Sequence, residues 1–155
     1  MDRQHRNLRF ETFEQALQEA RRLASTPVTT SGSYSLGQIL EHLARTLDAV
    51  TGVGRPLPVP WYAKLLGRFL RHSAIHRPAR PGFKLPQRAQ AYLWPTSGVS
   101  VEEGMQHLEK AAAAFLSIQQ FPPHPLFGLM EYDQHHQLQC RHFELHLGFV
   151  HPADE

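Results

Sequence analysis

The chain has 155 residues, 41% hydrophobic and 19% charged, with a formal net charge of +2. That is long enough for one compact domain with its own core and too apolar for a disordered chain. So small a net charge excludes any argument for nucleic acid from overall charge alone.

The first helix is expected to begin at Thr12, where Thr12 and Gln15 form a capping box whose side chains satisfy each other's free backbone N–H groups. Phe13, Ala16, Leu17, Ala20 and Leu23 then recur at helical spacing, and Pro27 stops the run. A loop of small polar residues follows. Ser35 and Gln38 make a second capping box, opening a helix whose stripe is Leu36, Ile39, Leu40, Leu43, Leu47 and Val50. Gly52 and Gly54 end it. A shorter helix starts at Pro60, a residue suited to a first turn, and runs to about Arg71.

From His72 to Gly98 the prolines at 78, 81, 86 and 95 argue against long regular elements. A third capping box, Ser100 with Glu103, opens the next long helix, carrying Met105, Leu108, Ala112 and Phe115. The "FPPHPLFG" segment breaks it, and a last helix is expected from about Glu131 to Val150. Strand signals are weak. Four long amphipathic helices with an irregular insertion between the second and third predict an all-α four-helix bundle, one domain over residues 1–155.

Cys140 is the single cysteine, so no disulfide can form within the chain and a reducing cytoplasm is expected. The N-terminus lacks the apolar core of a signal peptide. No apolar run is long enough to span a bilayer, so no membrane partner is expected. Lys64, Arg68, Arg71, Arg77, Arg80, Lys84 and Arg88 crowd the middle of the chain. They read first as a solvated basic run and second as a site for an anionic substrate, cofactor or partner. Nucleic acid is disfavoured.

Among 11 histidines, two pairs have i,i+4 spacing: His72 with His76, and His142 with His146. The first pair sits in a basic, proline-bounded segment that opposes a cation, and is read as coincidence. The second shares its wheel face with Leu138, Leu145 and Phe149, within about 60°, and His135 joins it. Burying two imidazoles costs free energy unless each is hydrogen-bonded or bound, and a metal ion satisfies both at once. A third ligand must come from another helix. His42 is the best candidate, although it lies about 110° from the centre of its own stripe and reads, taken alone, as half-buried and structural. Cys140 points about 160° away and is expected to be an inert thiol. The H-E-x-x-H protease pattern is absent, because Phe143 follows the first histidine. Glu144 falls one residue late and is expected on the solvated face.

The segments "LGQILEHLA" and "CRHFELHLGF", with "PGFKLP" and "HPLFG", resemble the DinB-like superfamily of metal-binding four-helix bundles, in a subfamily of unknown function. The resemblance covers nearly the whole chain. It implies a divalent ion, zinc or nickel, held by His42, His142 and His146 with a position open for water or substrate. It also implies a metal-dependent transferase or hydrolase working on a small-molecule substrate, with a low-molecular-weight thiol as cosubstrate, and a homodimer by analogy. The alternative is a non-catalytic bundle that binds a ligand or partner, with a structural metal or none. His124 is either a pocket residue beside the metal or a turn residue fixed by Pro125. His135 either orients a ligand by hydrogen bonding or sits partly exposed near the bundle end.

Overall fold

The structure is a computed structural model that describes residues 4–82 and 84–153. Among the described residues the chain forms six helices and one two-stranded sheet: α1 (Phe13–Ala24), β1 (Val28–Thr30), α2 (Leu36–Thr51), α3 (Trp61–His76), α4 (Gln87–Leu93), α5 (Val101–Ser117), α6 (Tyr132–Leu147) and β2 (Val150–Pro152). The fold is mostly helical. No helix among the described residues is long and apolar enough to cross a membrane.

The three capping boxes read from the sequence are all formed, at Thr12, Ser35 and Ser100. Each fixes a helix start and so the phase of the apolar stripe behind it. Gly52 ends α2 in the left-handed conformation, at φ 80°. That is the role a glycine plays best beyond a helix end.

One buried core draws on four helices: Phe13, Leu17 and Leu23 of α1; Leu40, Leu43 and Leu47 of α2; Leu108 and Phe115 of α5; and Phe143 and Leu147 of α6. The tightest junction joins α2 to α5. Gly37 lies so close to the Val99–Ser100 backbone that a Cβ there would overlap the Val99 carbonyl. A Cβ on Gly104 would stand 2.6 Å from the Gly37 carbonyl oxygen. Two glycines thus let the N-terminal ends of the helices meet backbone to backbone.

Several elements depart from the sequence reading. The last helix stops at Leu147, and Val150–Pro152 pairs antiparallel with Val28–Thr30, with Thr29 opposite His151. The strand at 28–30 lies where a loop is expected, because three residues are too few to show alternation. The third helix continues to His76, past Arg71, and a further helix of about two turns, α4, interrupts the stretch expected to be irregular. Both lie between prolines, so neither breaks the rule that proline avoids helix interiors.

The face of α6 also differs. Its core stripe is Cys140, Phe143 and Leu147, while His142 and His146 lie to one side of it and are half-buried. Glu144 is buried, not solvated: it accepts the Phe10 N–H at 2.7 Å and an Arg141 N–H at 2.7 Å. Arg141 also donates to the Phe10 carbonyl at 2.6 Å. The segment before α1 therefore lies along the back of α6. A helix covered on most of its sides has no single apolar face for a wheel to reveal.

Candidate metal centre

α2 and α6 bring together the three histidines read from the sequence. The Nε2 of His42 lies 3.2 Å from Nε2 of His142 and 3.1 Å from Nε2 of His146. All three ligand atoms lie within 4.8 Å of one another, and this is the group of three able to hold a metal ion among the described residues. The i,i+4 spacing places both α6 rings on one side of their helix. They cross each other edge to face, centroids 4.6 Å apart.

His42 is 2% exposed, where a half-buried ring was expected. The difference comes from α4 and the residues after it. The His42 Nδ1–H donates to the Leu93 carbonyl at 3.2 Å, since a carbonyl can only accept. Trp94 lies flat on the imidazole, with centroids 3.8 Å apart and planes 4° from parallel. Tyr34 stacks on Trp94 at 3.8 Å. The ring is therefore held in one orientation, with its Nε2 lone pair aimed at the other two histidines. None of Tyr34, Leu93 or Trp94 was singled out from the sequence. The "YLWP" segment carried a signal, an aromatic residue locked before a proline in an otherwise open loop.

The electrostatics favour neutral rings. Burial above all, then the neighbouring His142 and Arg45, holds the His42 pKa well below the usual histidine value, against the raising effect of the Leu93 hydrogen bond. Burial, followed by the His142, His42 and His5 rings, does the same to His146. Burial pushes His142 down to about 4. Neutral imidazoles are the form that binds metal.

The spacing can be compared with what an ion requires. Two nitrogens at about 2.0–2.1 Å from a tetrahedral ion stand roughly 3.3 Å apart. The two His42 separations come close to that. Without an ion the His42 Nε2 can accept from only one neighbour, and the remaining nitrogen would press its lone pair against the others. The donor set, three imidazoles kept neutral by their surroundings, could hold a metal ion.

The other described histidines are not members of this group. His124 Nδ1 accepts the N–H groups of Leu126 and Phe127 at 3.1 and 3.2 Å, the turn role. Burial, then His135 and His142, lowers its pKa to about 3. His135 is buried, stacked on Phe121 at 4.2 Å, and neither ring nitrogen finds a hydrogen-bond partner among the described residues. The His72 and His76 rings, both exposed on α3, lie tilted against each other with centroids 4.4 Å apart. Cys140 is a buried free thiol whose pKa burial raises to about 11, the inert state expected of it.

A family model described as "Protein of unknown function (DUF1569)" matches residues 2–153. The chain belongs to the DUF1569 family. The DUF1569 match runs from before α1 through β2, so His42, His142 and His146 all lie within it. Comparison with curated proteins and with solved structures returns no match.

Proposed function

We propose that this DUF1569 protein is a metal-dependent enzyme of the DinB-like type. In this reading residues 1–155 form one domain, a four-helix bundle built from α1, α2, α5 and α6, with α3 and α4 as the insertion. His42, His142 and His146 are the ligands of one divalent ion, zinc or nickel. The observation that carries the reading is the pair of Nε2 separations, 3.2 and 3.1 Å, on half-open histidines that their surroundings keep neutral. The chemistry such an ion supplies when bound is Lewis acidity, enough to activate a thiol or water at neutral pH.

The chain's own residues have narrower tasks. Leu93 and Trp94 fix the tautomer and plane of His42, as second partners of metal-binding histidines commonly do. The half-buried sides of His142 and His146 leave an approach for a small substrate. That supports a transferase or hydrolase, with a low-molecular-weight thiol as cosubstrate, over a metal that only staples helices.

Metal content by plasma mass spectrometry tests the assignment on tag-free protein. Wild type should hold about one equivalent of a divalent ion, as expected for a single three-histidine site. His142→Ala should lose it while keeping its helical circular dichroism, and His72→Ala should not. Unchanged metal in folded His142→Ala would sink the ligand set. Trp94→Ala should weaken metal affinity by about tenfold, the usual effect of losing an orienting neighbour. A competition titration with a chromophoric chelator reads this, and an unchanged affinity would remove Trp94 from the account.

A further inference from the structure

A second feature lies on α3, and its amphipathicity is inverted. Small residues face the body of the protein. Gly67 is buried so tightly that a Cβ would overlap the Leu126 carbonyl, and Ile75 is the one large apolar side chain of α3 fully buried. The large apolar residues point the other way. Trp61 is 75% and Phe69 79% exposed, and Tyr62, Leu65, Leu66 and Leu70 are exposed with them. On a helical wheel Trp61, Tyr62, Leu65, Leu66 and Phe69 fill an outward arc of about 140°. Leu129, whose carbonyl accepts from Arg71, is a further exposed apolar side chain. Contiguous apolar surface on this scale marks an interaction site.

Charge identifies the partner. Residues 49–101 contain eight of the sixteen Lys and Arg residues and none of the fourteen Asp and Glu residues. Lys64 and Arg68 are exposed and border the apolar arc on one side. A second copy of this chain, meeting the patch across a two-fold axis, would bring no acidic side chain from residues 49–101 to Lys64 and Arg68, since that stretch has none. Phosphates of a nucleic acid would meet an apolar centre where they need cations. An apolar outward arc rich in Trp, Tyr, Phe and Leu, flanked by Lys and Arg, is the pattern of a helix lying in a lipid interface.

We propose that α3 docks the protein on an anionic bilayer, laying Trp61, Leu65 and Phe69 among the acyl chains while Lys64 and Arg68 meet the headgroups. The proposal goes beyond the expectation of no membrane partner, which concerned a membrane span. An interfacial helix needs no span.

Vesicle flotation tests the proposal with the full chain and two compositions, phosphatidylcholine alone and phosphatidylcholine with phosphatidylserine. Wild type should float with the anionic vesicles and not with the neutral ones, and binding should fall as salt rises. Each cation near the surface strengthens binding about fivefold, so Lys64→Gln/Arg68→Gln should weaken it by about 25-fold. Leu65→Ser/Phe69→Ser should abolish it while leaving the melting temperature unchanged, since both side chains are exposed in the free protein. Trp61 emission should shift to the blue on anionic vesicles in a Trp94→Phe background. No flotation of wild type, or equal flotation on neutral vesicles, would overturn the proposal. So would a dimer, seen by sedimentation equilibrium, that Phe69→Ser dissociates, because it would give the face to a second copy.

Discussion

Gly37→Ala should lower the melting temperature by about 4–8 °C, the loss expected when about 2 kcal/mol net is taken from a chain of this length. Two effects compete at this position. Replacing glycine by alanine inside a helix favours the helix by about 1 kcal/mol. Against that, the new Cβ would overlap the Val99 carbonyl and crowd the Ser100 carbonyl, both backbone groups at the start of α5. Backbone cannot rotate away as a side-chain end can, so α2 and α5 must separate, and overpacking of a tight junction costs about 1–3 kcal/mol or more. Gly104→Ala should act in the same direction, since its Cβ would stand 2.6 Å from the Gly37 carbonyl oxygen and 3.1 Å from the Leu40 Cβ. The two sites touch, so once one substitution has moved the helices apart the second should cost less than it does alone. Gly98→Ala is the control, because a Cβ there meets nothing within 4 Å. Thermal unfolding of wild type, the three single variants and the Gly37→Ala/Gly104→Ala double variant decides the matter. Gly37→Ala melting with wild type would mean that the α2–α5 junction has slack the structure does not show. The junction lies five residues before His42, so metal affinity should fall along with stability.

The helix starts could be read from the sequence because each depends on residues within one turn. Thr12, Ser35 and Ser100 each cap their own helix with a partner three residues on, and nothing distant can undo that. The convergence of His42 with His142 and His146 could be anticipated only in part. Their spacing and helix faces are local, but the burial of His42 comes from Leu93 and Trp94, some fifty residues further along the chain. The same limit explains the misplaced face of α6. Its neighbours include residues before α1, and Glu144 is buried by bonds to Phe10 and Arg141 that no periodicity encodes. The short strand pair failed for a related reason, as Val28–Thr30 becomes a strand only because Val150–Pro152 lies beside it. On α3 periodicity was present but its sense was reversed. The apolar stripe that normally marks the buried face here marks the exposed one.

Stability of the metal-free protein should be greatest near neutral pH and fall steeply below about 6.5, the ordinary histidine value. Burial is the leading cause that lowers the pKa of His42, His124, His135, His142 and His146. The sign follows from which state holds more protons. Above about 6.5 these rings are neutral in both folded and unfolded chains, so their contribution is fully present. Below it the unfolded chain takes up protons that the folded one refuses, and stability is lost. For His135 and His142 the loss continues until the pH reaches about 4, and for His124 until about 3. Each such proton tilts stability by about 1.4 kcal/mol per pH unit. Two rings acting over two pH units would remove about 5 kcal/mol, the lower end of a domain's whole margin. His107 works in the opposite sense. Burial pulls its pKa down, but hydrogen bonds at 2.8 Å to Glu41 and to Asp48 outweigh that and leave it raised. Its clamp between α5 and α2 is complete below about 6.5 and is lost as the pH rises through the raised value. The ring is partly exposed, so this alkaline slope should be shallow. Urea unfolding of chelator-treated protein from pH 4.5 to 8.5 would show both limbs. His107→Gln should flatten the alkaline limb alone, and His135→Phe should soften the acid limb alone. Constant stability from pH 8 down to 5 would mean that the buried histidines carry protons in the folded state, and a cluster of charged rings could not be the metal-ready group that their geometry describes.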